Sequence, residues 1–352
     1  MFEEISSFIK SLYPGNDPVP LHAPRFQGKE KEYLCDCIDS TFVSYVGVYV
    51  TRFEALIEQF TGATSAVAMV NGTAALHAAL LLAGVLPGDE VLTQPLTFVA
   101  TANAIRYCGA SPIFLDVERT TLGLNPDALL AFFKKNTQIG EDGLCYNQST
   151  GCRIAACAPV HTFGHPCRID QIVKICEKNH VPVVEDAAEA LGSMYQGRHV
   201  GLFGDIGIIS FNGNKPVTTG GGGMLITHRQ DIAESARHLT TTAKTKHPWE
   251  YHHDCVGYNY RMPNINAAVG CAQMESVEEL LENKRETARL YCEFFDTMNV
   301  SFFREPEHAK SNYWLNAILL EDRQERDAFL SETNRCGVQT RPVWTPMHHL
   351  PM

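Results

Sequence analysis

The stretch Ser210-Phe-Asn-Gly-Asn-Lys215-Pro-Val-Thr-Thr-Gly-Gly-Gly-Gly-Met224 sets a single amine between an apolar run and four consecutive glycines. A lysine serves as nucleophile or proton carrier only when burial or neighbouring charge draws its pKa toward neutrality, and Schiff-base chemistry on a carbonyl is its typical use. Glycines beside it let a flat ligand approach bare backbone. A second feature, Val184-Glu-Asp186, closes an apolar run with a carboxylate. A carboxylate facing a pyridine nitrogen keeps that ring protonated, which makes it an electron sink for a carbanion. A third, Asn71-Gly-Thr73, opens an Ala-rich helical segment whose free amides, dipole and hydroxyl suit an anion. Each has an ordinary alternative: a loop lysine, a strand-end aspartate, a helix cap. Together, Lys215, Asp186 and a phosphate cradle of Gly72, Thr73 and the Ser210 hydroxyl are the three fixtures that pyridoxal 5'-phosphate (PLP) requires. A P-loop is excluded, because no GxxxxGK[ST] occurs and Lys215 precedes its glycines.

These residues need a scaffold. Short apolar or β-branched runs occur at 111–117, 153–160, 181–185, 205–211 and 223–227, with helical patterns between several of them. One such helix, Arg168 to Lys178, carries Ile169, Ile172, Val173 and Cys176 on one stripe. Strands apolar on both faces and separated by helices predict an α/β protein with a mostly parallel central sheet and helices on both faces. Ligands of such sheets sit off the strands' carboxyl ends. The residues there are polar: Asp116, His161, the pair Glu185-Asp186, and Ser210. Beyond about residue 245 the pattern becomes a long helical stretch from Pro263 to about Met298, a strand-like Tyr313 to Leu320, a helix over 321–334 and an extended run near Val338. The expected organisation is a large cofactor-binding α/β domain, 1–245, and a small α+β domain, 246–352.

Composition narrows the partners. The chain has 352 residues, 45% hydrophobic and 20% charged, as in a folded globular protein. A net charge of -11 argues against a nucleic-acid or anionic-membrane surface, leaving small molecules or further copies of the chain. The longest apolar run, Ala74 to Leu86, is interrupted by His77 and too short to cross a bilayer. The amino terminus, MFEEISSFIK, lacks the features of a signal peptide, so a cytoplasmic setting is expected. The 12 cysteines include no CxxC pair and are expected to be free thiols. His161-Thr-Phe-Gly-His165-Pro-Cys167 has metal-ligand spacing for a helix, but Gly164 and Pro166 break any helix there, and no metal is expected.

Val184-Glu-Asp-Ala-Ala-Glu-Ala-Leu-Gly192, followed by the lysine motif and Thr218-Thr-Gly-Gly-Gly-Gly, resembles the DegT/DnrJ/EryC1/StrS sugar aminotransferases, which are fold type I PLP enzymes. Adding Thr97-Phe-Val-Ala-Thr-Ala-Asn-Ala104, Val160-His-Thr-Phe-Gly-His165 and Gly257-Tyr-Asn-Tyr-Arg-Met-Pro-Asn-Ile-Asn266, the chain is most similar to the LegC-type members of amino-sugar and nonulosonic acid pathways. The resemblance implies that Lys215 is the Schiff-base lysine and general acid/base, and that Asp186 partners the pyridine nitrogen. It implies that Gly72, Thr73 and Ser210 hold the phosphate and that Phe98 stacks on the ring. Asn259 would reach the phosphate of a neighbouring subunit's cofactor, making a homodimer with shared sites. His161, Tyr260 and Arg261 would lie near the substrate. Glu189 departs from the Gln or His often found three residues after the aspartate, and an acid there would repel the cofactor's phenolic anion unless one carries a proton. Members of the family generally continue past the equivalent of Leu350-Pro-Met352, so a shortened small domain is expected.

The function expected is transfer of an amino group from L-glutamate to a nucleotide-linked 4-keto-6-deoxy sugar, with the nucleotide and the choice between C4 and C3 left open. Rival readings are a dehydratase of the same fold, which lacks the lysine, a PLP-binding regulator without activity, and a nucleotide-binding protein.

Overall fold

The computed structural model describes residues 1–352. Seven strands build the central sheet: β1 (Ser65–Met69), β2 (Glu90–Thr93), β3 (Ser111–Phe114), β4 (Ile154–Ala158), β5 (Val184–Asp186), β6 (Ile206–Ser210) and β7 (Gly223–Thr227). Hydrogen-bonded neighbours run β1-β7-β6-β5 on one side and β4-β2-β3 on the other. Parallel bridges Cys157–Val183 and Val160–Asp186 join the two halves. Only β7 runs antiparallel to its neighbours. Residues of β1, β2, β4, β5, β6 and β7 are buried throughout, which accounts for their unbroken apolar character.

Helices cover both faces. They are α1 (Phe2–Leu12), α2 (Glu30–Asp39), α3 (Val48–Thr61), α4 (Gly72–Leu82), α5 (Ala100–Tyr107), α6 (Pro126–Asn136), α7 (Ile169–Lys178), α8 (Gln230–Thr240), α9 (Asn264–Met274), α10 (Val277–Thr297) and α11 (Arg323–Arg335). On α7 the expected stripe appears, with Ile169, Ile172 and Cys176 buried and Val173 partly so. In α4 every residue from Ala74 to Leu80 is buried, so this helix runs through the core rather than over it. Its start is fixed by Asn71, whose extended backbone precedes the first turn and whose Oδ1 accepts the Ala74 amide at 2.8 Å. Such a cap is worth about 1 kcal/mol.

Three expectations need correction. The stretch 263–298 is two helices, broken at Glu275-Ser276. α9 is buried almost all round against α2 and α3, whereas α10 has only Val277, Ala288 and Phe295 buried, so one straight axis cannot serve both. The strand expected over 313–320 shrinks to Ile318–Leu319 paired with Ser301–Phe302. Upstream of it, Ser311 and Asn312 are spent on side-chain bonds to the large unit: Asn312 Nδ2 donates to the carbonyls of Glu189 and Leu191, both at 2.9 Å. The packing also departs from a division at 245. α9 belongs with Phe53, Phe211 and Met224 in one core, while Ile5 and Ile9 of α1 join Ala288, Phe295, Phe302, Tyr313 and Phe329 in the smaller one.

All 12 cysteines are free. No helix is long and apolar enough to cross a membrane.

Candidate active site

Lys215 sits in a turn closed by its own amide donating to the Asn212 carbonyl at 2.9 Å, just past the end of β6. Its side chain turns inward and is buried. The amine lies 3.6 Å from Glu189 Oε1 and 3.6 Å from the centroid of the Trp314 ring. Burial draws the Lys215 pKa down, and the Glu189 and Asp186 charges only partly oppose it. A flat aromatic face holds a cation without offering a competing acceptor. The Trp314 ring is itself pinned, its Nε1–H donating to the Asn214 carbonyl at 2.6 Å and its backbone amide to Asn312 Oδ1 at 2.9 Å.

Asp186 ends β5 and is buried. Its Oδ2 accepts the Thr101 hydroxyl at 2.8 Å and its Oδ1 accepts the Ala188 amide at 3.2 Å, while Thr97 lies 2.8 Å behind Thr101. Burial pushes its carboxyl above the ordinary aspartate value despite Thr101, Ala188 and Lys215, so the site favours a cationic partner for it. Glu189 stands between the two. Its Oε2 accepts the Phe163 amide at 2.7 Å, from a residue held at φ 58, a backbone region that non-glycine residues seldom occupy. Burial raises Glu189 to about 7, with Lys215 and Phe163 pulling the other way. Near neutrality this acid is therefore divided between its protonated and ionised forms, and the protonated form can face a phenolate without repulsion.

The opposite wall is the start of α4. Asn71 consumes the Ala74 amide, leaving the Gly72 and Thr73 amides without an acceptor in the chain. A Cβ on Gly72 would stand 3.0 Å from Ser210 Cβ and 3.2 Å from Ser210 Oγ, so only glycine leaves this concavity open beside the serine hydroxyl. Two of the four glycines after Lys215 serve differently from expectation. A Cβ on Gly223 would meet the Asn71 carbonyl oxygen at 2.4 Å, and one on Gly222 would meet Thr219 Oγ1 at 2.1 Å. Gly223 lets the chain pass its own backbone at the mouth of α4 and Gly222 packs against side chains, while Gly220 and Gly221 have open space where a Cβ would stand.

The remaining candidates are committed to other partners or stand at the rim. His161 is fully buried, with Nε2 donating to Glu185 at 3.0 Å and Nδ1 accepting the Cys167 amide at 3.2 Å. Since an amide can only donate, Nδ1 carries no proton and both ring nitrogens are committed. Glu185 is structural too. Burial pushes its pKa up, but His161 and the amides of Gly201, Phe203 and Gly204 outweigh it and hold the group ionised. Arg261 is paired with Glu54 at 2.8 Å, which also takes Arg237. Tyr260 bonds His77 Nδ1 at 3.2 Å and stacks on Tyr258. Asp116 is an exposed turn residue accepting the Val117 amide. Asn259 is exposed, without a side-chain partner in its own chain. Phe98 is 54% exposed and meets Trp344 edge-on at 6.3 Å.

The residues that the sequence did not single out are Thr101, Phe163, Trp314 and Trp344. Phe163 bridges the two tryptophans at 6.5 and 5.1 Å, so an aromatic wall runs from Lys215 to Phe98. Thr101 lay inside the 97–104 motif, but the tryptophans come from the distant end of the chain with no local signal. A buried acid opposite a buried amine, with an open amide-and-hydroxyl cradle that a Cβ would fill, fits PLP in each of its three contacts.

Comparison with known proteins agrees. Residues 24–352 match the model of the DegT/DnrJ/EryC1/StrS aminotransferase family. GDP-perosamine synthase of Escherichia coli O157:H7 is 37% identical, over 95% of this chain and 86% of its own. EpsN of Bacillus subtilis, 36% identical over 95% of this chain and 83% of its own, carries pyridoxal phosphate dependence in its name. Among solved structures, the aminotransferase TlmJ of Streptoalloteichus hindustanus is 28% identical, covers 94% of this chain and 86% of its own, and superposes with a TM-score of 0.85.

Proposed function

The chain belongs to the DegT/DnrJ/EryC1/StrS family and is a PLP-dependent sugar aminotransferase, and on that footing we propose that it moves an amino group from L-glutamate to the keto group of a nucleotide-linked 4-keto-6-deoxy sugar. The observation that carries this reading is the Lys215 amine, buried at 3.6 Å from Glu189 and resting on the Trp314 face. The names of the relatives called GDP-perosamine synthase favour a GDP-linked sugar over a UDP-linked one. The biosynthetic names of these relatives support a cytoplasmic setting, which we assign. The exposed Asn259 supports a homodimer in which it completes the partner's site.

When bound, PLP supplies an electron sink for the pair left on carbon as a proton departs. Gly72, Thr73 and Ser210 would hold its phosphate on the amides and hydroxyl at the mouth of α4. Asp186, kept in place by Thr101, would hold a proton against the ring nitrogen. Glu189, in its protonated form, would donate a hydrogen bond to the phenolic oxygen. Lys215, its pKa drawn down by burial, gives up a proton more readily than an exposed lysine and would carry it between the donor's α-carbon and the cofactor carbon beside it. The aromatic wall of Phe163, Trp314 and Trp344 would exclude water from this transfer.

The test is to incubate the PLP-loaded protein with L-glutamate and GDP- or UDP-linked keto sugars and to read products by mass. An aminated sugar with matching 2-oxoglutarate is expected. A yellow protein that leaves every sugar unchanged would overturn the assignment in favour of a binding protein.

A further inference from the structure

A cation for the carboxylate of the amino donor serves transamination, and the arginines around the site already face carboxylates, although the buried Nη1 of Arg261 has no hydrogen-bond partner. Arg261 and Arg237 share Glu54, and Arg285 is paired with Glu305. Lys284, on α10, differs from all of these. Its amine is part-buried and donates one hydrogen bond, to the Trp314 carbonyl oxygen at 3.1 Å, with no carboxylate beside it. Burial alone draws its pKa down to about 8. Trp314 thus carries an amine at each end, Lys215 on its ring and Lys284 on its carbonyl.

A second orphan lies in the same region. His22 Nδ1 is shut away from solvent and has no hydrogen-bond partner. Its pKa falls to about 3 through burial, then through the charges of Lys284 and Lys215. An ammonium drawn out of water with one neutral acceptor and no counter-charge is costly unless an anion arrives to pair with it. The only protein acceptor on Lys284 leaves two of its three N–H groups free.

The geometry points to Lys284 as the site that binds a carboxylate of the amino donor. The inference rests on the proposed transamination. One tryptophan separates this amine from Lys215, its ring under one and its carbonyl oxygen against the other. The diphosphate of a nucleotide sugar is held off from its reacting carbon by the pyranose ring and suits this position less. The donor's two carboxylates offer the same chemistry, so the donor's identity distinguishes them.

The experiment uses PLP-loaded enzyme and the variants Lys284→Gln, which keeps a donor for the Trp314 carbonyl but loses the charge, and Lys284→Arg, which keeps both. Glutarate, an unreactive dicarboxylate, is titrated calorimetrically, and KM is measured for L-glutamate, L-alanine and the nucleotide sugar. Lys284→Gln is expected to weaken glutarate and raise the glutamate KM by roughly tenfold to a hundredfold, the worth of a charge-assisted hydrogen bond. Lys284→Arg restores both, and the nucleotide-sugar KM stays unchanged throughout. Sparing of L-alanine assigns the side-chain carboxylate; equal loss of both donors assigns the α-carboxylate. If Lys284→Gln does not fold, Lys284→Met carries the same expectation. Wild-type glutarate affinity in the Gln variant, no glutarate binding by the wild type, or a change confined to the nucleotide-sugar KM would each overturn the inference. Lys284-dependent glutarate binding in a protein that aminates no sugar would instead overturn the proposed function and leave this site standing.

Discussion

Replacing Glu189 by glutamine should make the cofactor-free protein more stable at alkaline pH and not at acidic pH. The carboxyl is 4% exposed and its pKa stands at about 7 in the folded chain, against about 4.5 for an ordinary glutamate. The folded state therefore binds the proton more tightly than the unfolded state, and stability falls as pH rises through this interval. Below about pH 4 both states are protonated and the group is neutral in its effect. Above about pH 7 the folded chain carries a buried charge that costs about 3 kcal/mol, from 2.5 pKa units at 1.36 kcal/mol each. Glutamine keeps an acceptor for the Phe163 amide and removes the charge. It also removes the ion-pair attraction that holds the Lys215 proton, so about 3 kcal/mol is the upper value of the gain. Urea unfolding of wild type and Glu189→Gln at pH 5 and pH 8 reads this directly. The variant is expected to gain roughly 2–3 kcal/mol relative to wild type between the two conditions. Parallel stabilities at both pH values would refute the burial argument for Glu189, and with it the reading of this acid as a hydrogen-bond donor near neutrality.

Three further outcomes follow from the site. Lys215→Ala should lower turnover by at least roughly a thousandfold while leaving the fold intact by circular dichroism, because one amine carries every proton transfer. Gly72→Val places a side chain 3.0 Å from Ser210 Cβ, so PLP affinity measured by absorbance titration should fall by about tenfold or more, with thermal stability changed far less. Asn312→Ala leaves the buried Glu189 and Leu191 carbonyls without their donor and frees Trp314, and should cost about 2–4 kcal/mol in denaturant unfolding.

The parts of this molecule that were readable from the sequence are those with local signatures. The buried strands read as apolar runs, α7 as a stripe, α4 as a capped helix, Asp186 and Ser210 as polar residues at strand ends, a position that a parallel sheet gives to its ligand, and Lys215 as a lone amine beside four glycines. What failed was whatever depended on who the neighbour is. His161 and Arg261 have the chemistry of substrate ligands, and only the fold reveals that Cys167, Glu185 and Glu54 already occupy them. The glycine run announced close backbone approach, but at Gly223 the backbone approached is the chain's own. Trp314 and Trp344 line the site from the carboxyl-terminal part of the chain, about 100 residues beyond Lys215, and a contact at that separation has no periodicity to betray it. The break between α9 and α10 was equally silent, being set by how much of each helix the core covers and not by a glycine or proline.

The central claim is that Lys215 alone forms the bond to the cofactor. Borohydride reduction of the PLP-loaded protein, followed by proteolysis and mass spectrometry, tests it most directly. A single pyridoxyl adduct on the peptide bearing Lys215, absent from Lys215→Ala, is predicted. An adduct on Lys284 or spread over surface lysines, with Lys215 unmodified, would contradict the account.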